Sequence, residues 1–161
     1  MRPSSSFGST FSNYEQERGK PQPGVLHSVV QTNLLRQLVQ FKPALIPLSE
    51  LTLRLGDRDL TPDISVYTDF DVDYTRDETQ ATDPPLLAIE ISSPTQGIQG
   101  LIEKIRFLLQ HGVQLCWLIQ PQLRTVTVFT GEMDSATHDR GVLTDPATDI
   151  EVDLDDVFAA P

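Results

Sequence analysis

The feature that most constrains this chain is a pair of apolar runs with one helix between them. Leu86-Leu87-Ala88-Ile89-Glu90-Ile91 is hydrophobic throughout except at Glu90. A strand reads as unbroken apolar sequence when both of its faces are covered. Val113 to Ile119 is a second such run, closed by Pro121. Between them Ile98, Leu101, Ile102, Ile105, Leu108 and Leu109 recur at helical spacing, and Gly112 stands where a helix-ending glycine would. Ser93-Pro94-Thr95 supplies a cap and a proline for the helix start. A strand, helix, strand unit over residues 86–119 implies a right-handed parallel crossover.

The flanking segments fit around that unit. From His27 the apolar positions Val30, Leu34, Leu35, Leu38, Val39 and Phe41 give a first helix, which Pro43 stops. A strand or turn follows at Ala44 to Leu48. Leu51, Leu53 and Leu55 alternate with polar residues as in a half-buried strand, and Gly56 to Asp59 is a turn. Ile64 to Tyr67 is the next strand, and Thr125 to Phe129 returns as a hairpin partner of the second apolar run. Asp139 to Thr144 and Ile150 to Val152 add edge strands, with a last helical turn at Asp153 to Phe158. The expected fold is α/β in the mixed α+β sense: one mixed sheet flanked by helices. Residues 1–24, rich in Ser, Gly and Pro, read as a flexible N-terminal arm, and residues 25–161 as one domain.

Charge narrows the partners. The net charge is −11, which disfavours indiscriminate gripping of phosphate backbones. The acids are concentrated, with ten acids against two arginines in residues 57–90. Acids alternate at Asp69, Asp71 and Asp73, but a calcium loop would need a glycine at Tyr74 and a glutamate at Gln80, so the stretch reads as a solvated loop. No apolar run approaches the length of a membrane span, and Met1 to Lys20 has no apolar h-region, so no secretory signal is expected. The single cysteine, Cys116, lies in an apolar strand as a buried thiol, which makes a cytoplasmic location the expectation.

The chemistry centres on Asp63, Glu90 and Lys104. Asp63 opens one strand and Glu90 closes another; if those strands are neighbours, the two carboxylates meet. Glu90 is the stronger signal, because an unpaired carboxylate in so apolar a strand is costly to bury. Magnesium takes hard oxygen ligands and keeps waters or substrate phosphate for the rest. Asp63, Glu90 and the backbone carbonyl of Ile91 would suit it, with manganese as a substitute. Lys104, on the helix that follows, could lean over the strand ends and steady developing charge. Asp63 and Lys104 have ordinary alternatives: Asp63 as a Pro-Asp turn, Lys104 as a solvated partner of Glu103 or Gln110. His27 at a helix start is more commonly a cap or surface residue than a ligand. Trp117 and Phe129 read as core.

These motifs in this order resemble the Uma-type family of restriction endonucleases, in the PD-(D/E)XK nuclease superfamily. The resemblance rests on Thr61-Pro62-Asp63, on Ile89-Glu90-Ile91-Ser92-Ser93-Pro94-Thr95, on Lys104, and on Gly112-Val113 with Trp117-Leu118-Ile119. Glu17-Arg18-Gly19-Lys20-Pro21, His27-Ser28 and Ser49-Glu50-Leu51-Thr52-Leu53 add to it. It implies a restriction-endonuclease-like core and divalent-metal-dependent hydrolysis of DNA phosphodiesters. Asp63 and Glu90 match the motif acids. Ser92 stands where the motif lysine usually lies, and Lys104 matches the place from which the following helix supplies it. Glu17, His27 and Glu50 match recurrent positions of auxiliary role. A homodimer pooling Arg18, Lys20 and Arg36 would offset the acidity. The other class of function is a catalytically inactive module of the same fold that binds a protein or another ligand.

Overall fold

The computed structural model describes residues 20–41 and 44–161. Helix α1 (Val25–Leu38) runs into a short 3-10 turn ending at Phe41. Strand β1 (Ile46–Ser49) leads to a small hairpin, β2 (Leu53–Leu55) and β3 (Arg58–Leu60). Then come β4 (Ile64–Tyr67), β5 (Leu87–Ile91), helix α2 (Ile98–Gln110), β6 (Leu115–Gln120), β7 (Thr125–Thr130) and β8 (Asp134–His138). The chain closes with β9 (Val142–Thr144), β10 (Glu151–Asp153) and the single turn α3 (Leu154–Val157).

Six strands form one sheet in the order β1-β4-β5-β6-β7-β8. Only β5 and β6 run parallel; every other neighbouring pair is antiparallel. The parallel pair is the strand–helix–strand unit anticipated from the two apolar runs, with α2 as its connection. Their continuous hydrophobicity has the expected cause. Leu87, Ile89, Ile91, Trp117 and Ile119 face a layer that holds Val30, Leu34 and Leu38 of α1. Ala88, Cys116 and Leu118 face the other layer, with Leu101, Ile105 and Leu108 of α2 and Leu53 and Leu55 of β2. Each large apolar side chain withdrawn from water on either face contributes about 1.5–3 kcal/mol, so α2 is clamped to the sheet along a whole stripe.

Several expectations need correction. Gly56 and Asp57 make the turn, but Arg58 and Asp59 already belong to β3. The leucine alternation makes a separate hairpin with β3, not a strand of the main sheet, because its apolar side is used to cover α2. The α2 helix starts at Ile98, with Gly97 in the cap position and no side-chain cap; Ser93-Pro94-Thr95 forms the approach to it, not its first turn. Residues 139–141 are outside any strand. Instead β8 adds to the main sheet, while β9 and β10 pair with each other and lie with α3 on the α1 side. Gly112 ends α2 as anticipated, at φ +98, and a Cβ there would come within 2.9 Å of Pro84 Cγ.

Candidate active site

Because β4 and β5 are antiparallel, with Ile64 opposite Ile89, the start of one lies beside the end of the other. That places Asp63 and Glu90 at the same end of the sheet. Side chains alternate faces along a strand, so Glu90 shares the side of Ala88, the side covered by α2. Both carboxylates are almost fully buried, each 2% exposed. Both border a cavity of about 440 Å³, together with Lys20, His27, Glu50, Arg58, Ile91, Ser93 and Lys104.

Asp63 is held from three directions. Its Oδ2 accepts the backbone N–H of Ile91 at 2.7 Å. Its Oδ1 accepts Lys20 Nζ at 3.0 Å and lies 3.1 Å from His27 Nε2. Burial pushes its pKa up, but the hydrogen bond from His27, the charges of Lys20 and His27 and the Ile91 amide outweigh that and hold it at about 2. Lys20 also donates to Glu50 Oε2 at 2.6 Å. Burial alone would lower the Lys20 pKa, yet Asp63 and Glu50 keep it above the ordinary lysine value. Glu50 has a positive φ of 54°, a conformation a non-glycine residue adopts at some cost and one concentrated at functional sites. Gln31 ties the arrangement down by donating to the Asp63 carbonyl at 3.0 Å.

Glu90 meets Lys104, whose Nζ lies 2.7 Å from Oε1 and donates to the Thr61 carbonyl at 3.2 Å. The contact to the buried Oε1 is a close ion pair. Burial pushes the Glu90 carboxyl above the usual range, and Lys104 only partly offsets this. His27 Nδ1 is buried, with no hydrogen-bond partner among the described residues.

The sequence-identified residues therefore converge. Asp63, Glu90, Lys104, His27, Glu50 and Ile91 all line one cavity. Lys104 pairs with Glu90 instead of Glu103 or Gln110, and His27 is a buried contact of Asp63 instead of a cap. Glu17 lies outside the described residues. Residues 20–24, assigned to the arm, border the site through Lys20, Pro21 and Pro23. Lys20, Gln31 and the Thr61 carbonyl were not anticipated as site groups; the only signal for Lys20 was its place in Glu17-Arg18-Gly19-Lys20-Pro21. Cys116 is buried, with its thiol pushed up by burial and by the charge of Glu90, as fits an inert core residue. Asp69, Asp71 and Asp73 are exposed, and Asp73 Oδ1 accepts from Thr75.

Among the described residues no three His, Cys, Asp or Glu side chains converge as a ligand cluster. A divalent cation here would rest on two carboxylates, backbone oxygen, water and substrate. That donor set fits magnesium, which is commonly held by one or two carboxylates plus substrate phosphates. Glu90 would meet it as a carboxylate whose Oε1 is already ion-paired with Lys104 at 2.7 Å.

Comparison with known proteins bears on the family and the fold. A family model described as "Putative restriction endonuclease" matches residues 15–155. A solved structure from Anabaena variabilis ATCC 29413, described as a "putative nuclease belonging to DUF820", is 26% identical, with a TM-score of 0.75 over 86% of this chain and 83% of that one. No curated protein matches. Among the described residues, no helix is long and apolar enough to cross a membrane.

Proposed function

The chain belongs to the Uma2 family, and on that premise we propose that it is a magnesium-dependent endonuclease that hydrolyses DNA phosphodiester bonds in the cytoplasm. The observation that carries this reading is the pair of buried carboxylates, Asp63 and Glu90, at adjacent strand ends with Lys104 on Glu90.

Asp63, Glu90 and the carbonyl of Ile91 would hold the ion, with manganese able to replace it. When bound, the ion neutralises phosphate charge and lowers the pKa of its bound water. The chain's own contribution is placement. The Ile91 amide and His27 fix the Asp63 carboxylate in one orientation. Lys104 is anchored on the Thr61 carbonyl, so its ammonium stays at the strand ends, where it stabilises negative charge growing on the phosphoryl oxygens. Ser92 leaves the usual lysine position empty of charge, and Lys104 fills that role from α2.

A second reading is an inactive module of this fold that binds a protein or other ligand. It draws on the net charge of −11 and on the way Lys20 and Lys104 already neutralise the two carboxylates. Incubating supercoiled plasmid with the full chain, with magnesium, with manganese and with chelator, separates the two. Nicked or linear product that requires metal supports the nuclease. Intact plasmid under all three conditions supports the module. A homodimer would supply added basic surface; Lys20 is committed to Asp63 and Glu50, so that surface would have to come from Arg36 and other bases.

A further inference from the structure

Three cations line the candidate cavity: Lys20, Arg58 and Lys104. Lys20 and Lys104 are already spent on Glu50, Asp63 and Glu90. Arg58 is not. Its neighbour Asp59 is taken by Arg54 at 2.6 Å, and no carboxylate pairs with Arg58 among the described residues. Instead its Cζ lies 4.6 Å from the centroid of the Phe107 ring. Phe107 in turn stacks on His111, with centroids 3.8 Å apart and an interplanar angle of 20°. His111 is fixed by its Nδ1, 2.8 Å from the Phe107 carbonyl oxygen. Gly56 makes room for it, because a Cβ at Gly56 would come 3.1 Å from His111 Nε2. The β2–β3 hairpin and α2 thus hold the guanidinium over the Phe107 ring. A cation–π contact consumes none of the guanidinium's five N–H donors, and that fork matches two phosphate oxygens at once.

We propose that Arg58 is a phosphate-binding residue: it holds a backbone phosphate of the DNA strand beside the one addressed by Asp63 and Glu90, and the Phe107–His111 stack presents it. This rests on the nuclease reading of the same cavity. It would give this acidic chain a positioned phosphate contact at the cavity.

The test is binding of labelled duplex DNA by the full chain at several salt concentrations without metal, together with steady-state cleavage in magnesium. Losing one phosphate contact reduces the slope of log K against log[salt] by about 0.9. Arg58→Met is expected to weaken binding about tenfold, to reduce the slope by that amount, and to raise KM while kcat changes less than about twofold, as for a lost uniform-binding contact. Arg58→Lys keeps the slope with weaker binding, and Phe107→Leu weakens binding with the slope retained. These two decide the question if Arg58→Met does not fold. A wild type that cleaves DNA while Arg58→Met keeps wild-type affinity, slope and KM overturns the Arg58 assignment alone. A wild type that binds with an Arg58-dependent slope but cleaves nothing overturns the nuclease reading and leaves Arg58 as a phosphate contact. A wild type that neither binds nor cleaves overturns both.

Discussion

Lys104 Nζ lies 2.7 Å from Glu90 Oε1, and the same ammonium donates to the Thr61 carbonyl. A lysine on α2 thereby joins the end of β5 to the turn that carries Asp63. Removing one partner of a buried pair leaves the other charge stranded. Lys104→Met is expected to destabilise the fold by about 3 kcal/mol near neutral pH. Burial already raises the Glu90 pKa, and loss of Lys104 raises it further. The charged form is then the penalised one, so the deficit shrinks as pH falls and Glu90 takes up a proton. Urea melts of wild type and variant from neutral to acidic pH check both the size and the direction.

Asp63 predicts the opposite pH behaviour. Its carboxyl is held at about 2 against an ordinary 3.8, chiefly by His27 and Lys20 working against burial. A depressed pKa means that stability is fully present above the unfolded value and is lost as pH falls toward the folded one. The window is therefore from about pH 4 down to about pH 2, and its size is about 2 kcal/mol. Asp63→Asn should lose that portion of the acid slope. An unchanged slope would mean that the Asp63 contacts do not persist in solution.

Lys20 extends the same network into the segment before α1. It bridges Glu50 and Asp63 at 2.6 and 3.0 Å, but it and Glu50 are partly exposed, so solvent screens part of the interaction. Lys20→Met is expected to cost about 1–2 kcal/mol, less than Lys104→Met. With that cation removed, the Asp63 pKa rises, measurable by carboxyl NMR titration.

The site was legible where burial itself was the signal. Glu90 breaks an apolar strand, and nothing inexpensive explains a carboxylate there; the strand pairing then brings Asp63 to it. Helix α2 and strands β5 and β6 were legible because both sheet faces are covered. Lys20 was not, since it sits in an aperiodic stretch and its partners, Glu50 and Asp63, are distant in sequence. His27 looked like a cap because nothing local shows that the start of α1 is packed against the open end of the sheet. Strand β8 was missed because its residues Asp134 to Thr137 are all exposed; pairing with β7 makes the strand, not an apolar pattern. The β2–β3 hairpin was misplaced for a similar reason, its leucines serving α2 and not the main sheet.

Gly112 offers a check on how rigidly α2 is set. Its φ of +98 and the 2.9 Å approach of Pro84 leave no room for a side chain. Gly112→Ala is expected to cost about 1–3 kcal/mol, seen as a lower Tm. If Lys104 depends on the seating of α2, DNA cleavage falls with it.

Glu90 is the residue on which the proposed nuclease chemistry depends most directly. The decisive measurement is the rate of magnesium-dependent plasmid cleavage by wild type and by Glu90→Gln, both confirmed folded by their melting curves. The prediction is metal-dependent cleavage by wild type and a loss of at least about a hundredfold in the variant, the scale of removing a transition-state electrostatic contact. Cleavage by Glu90→Gln at the wild-type rate would contradict it.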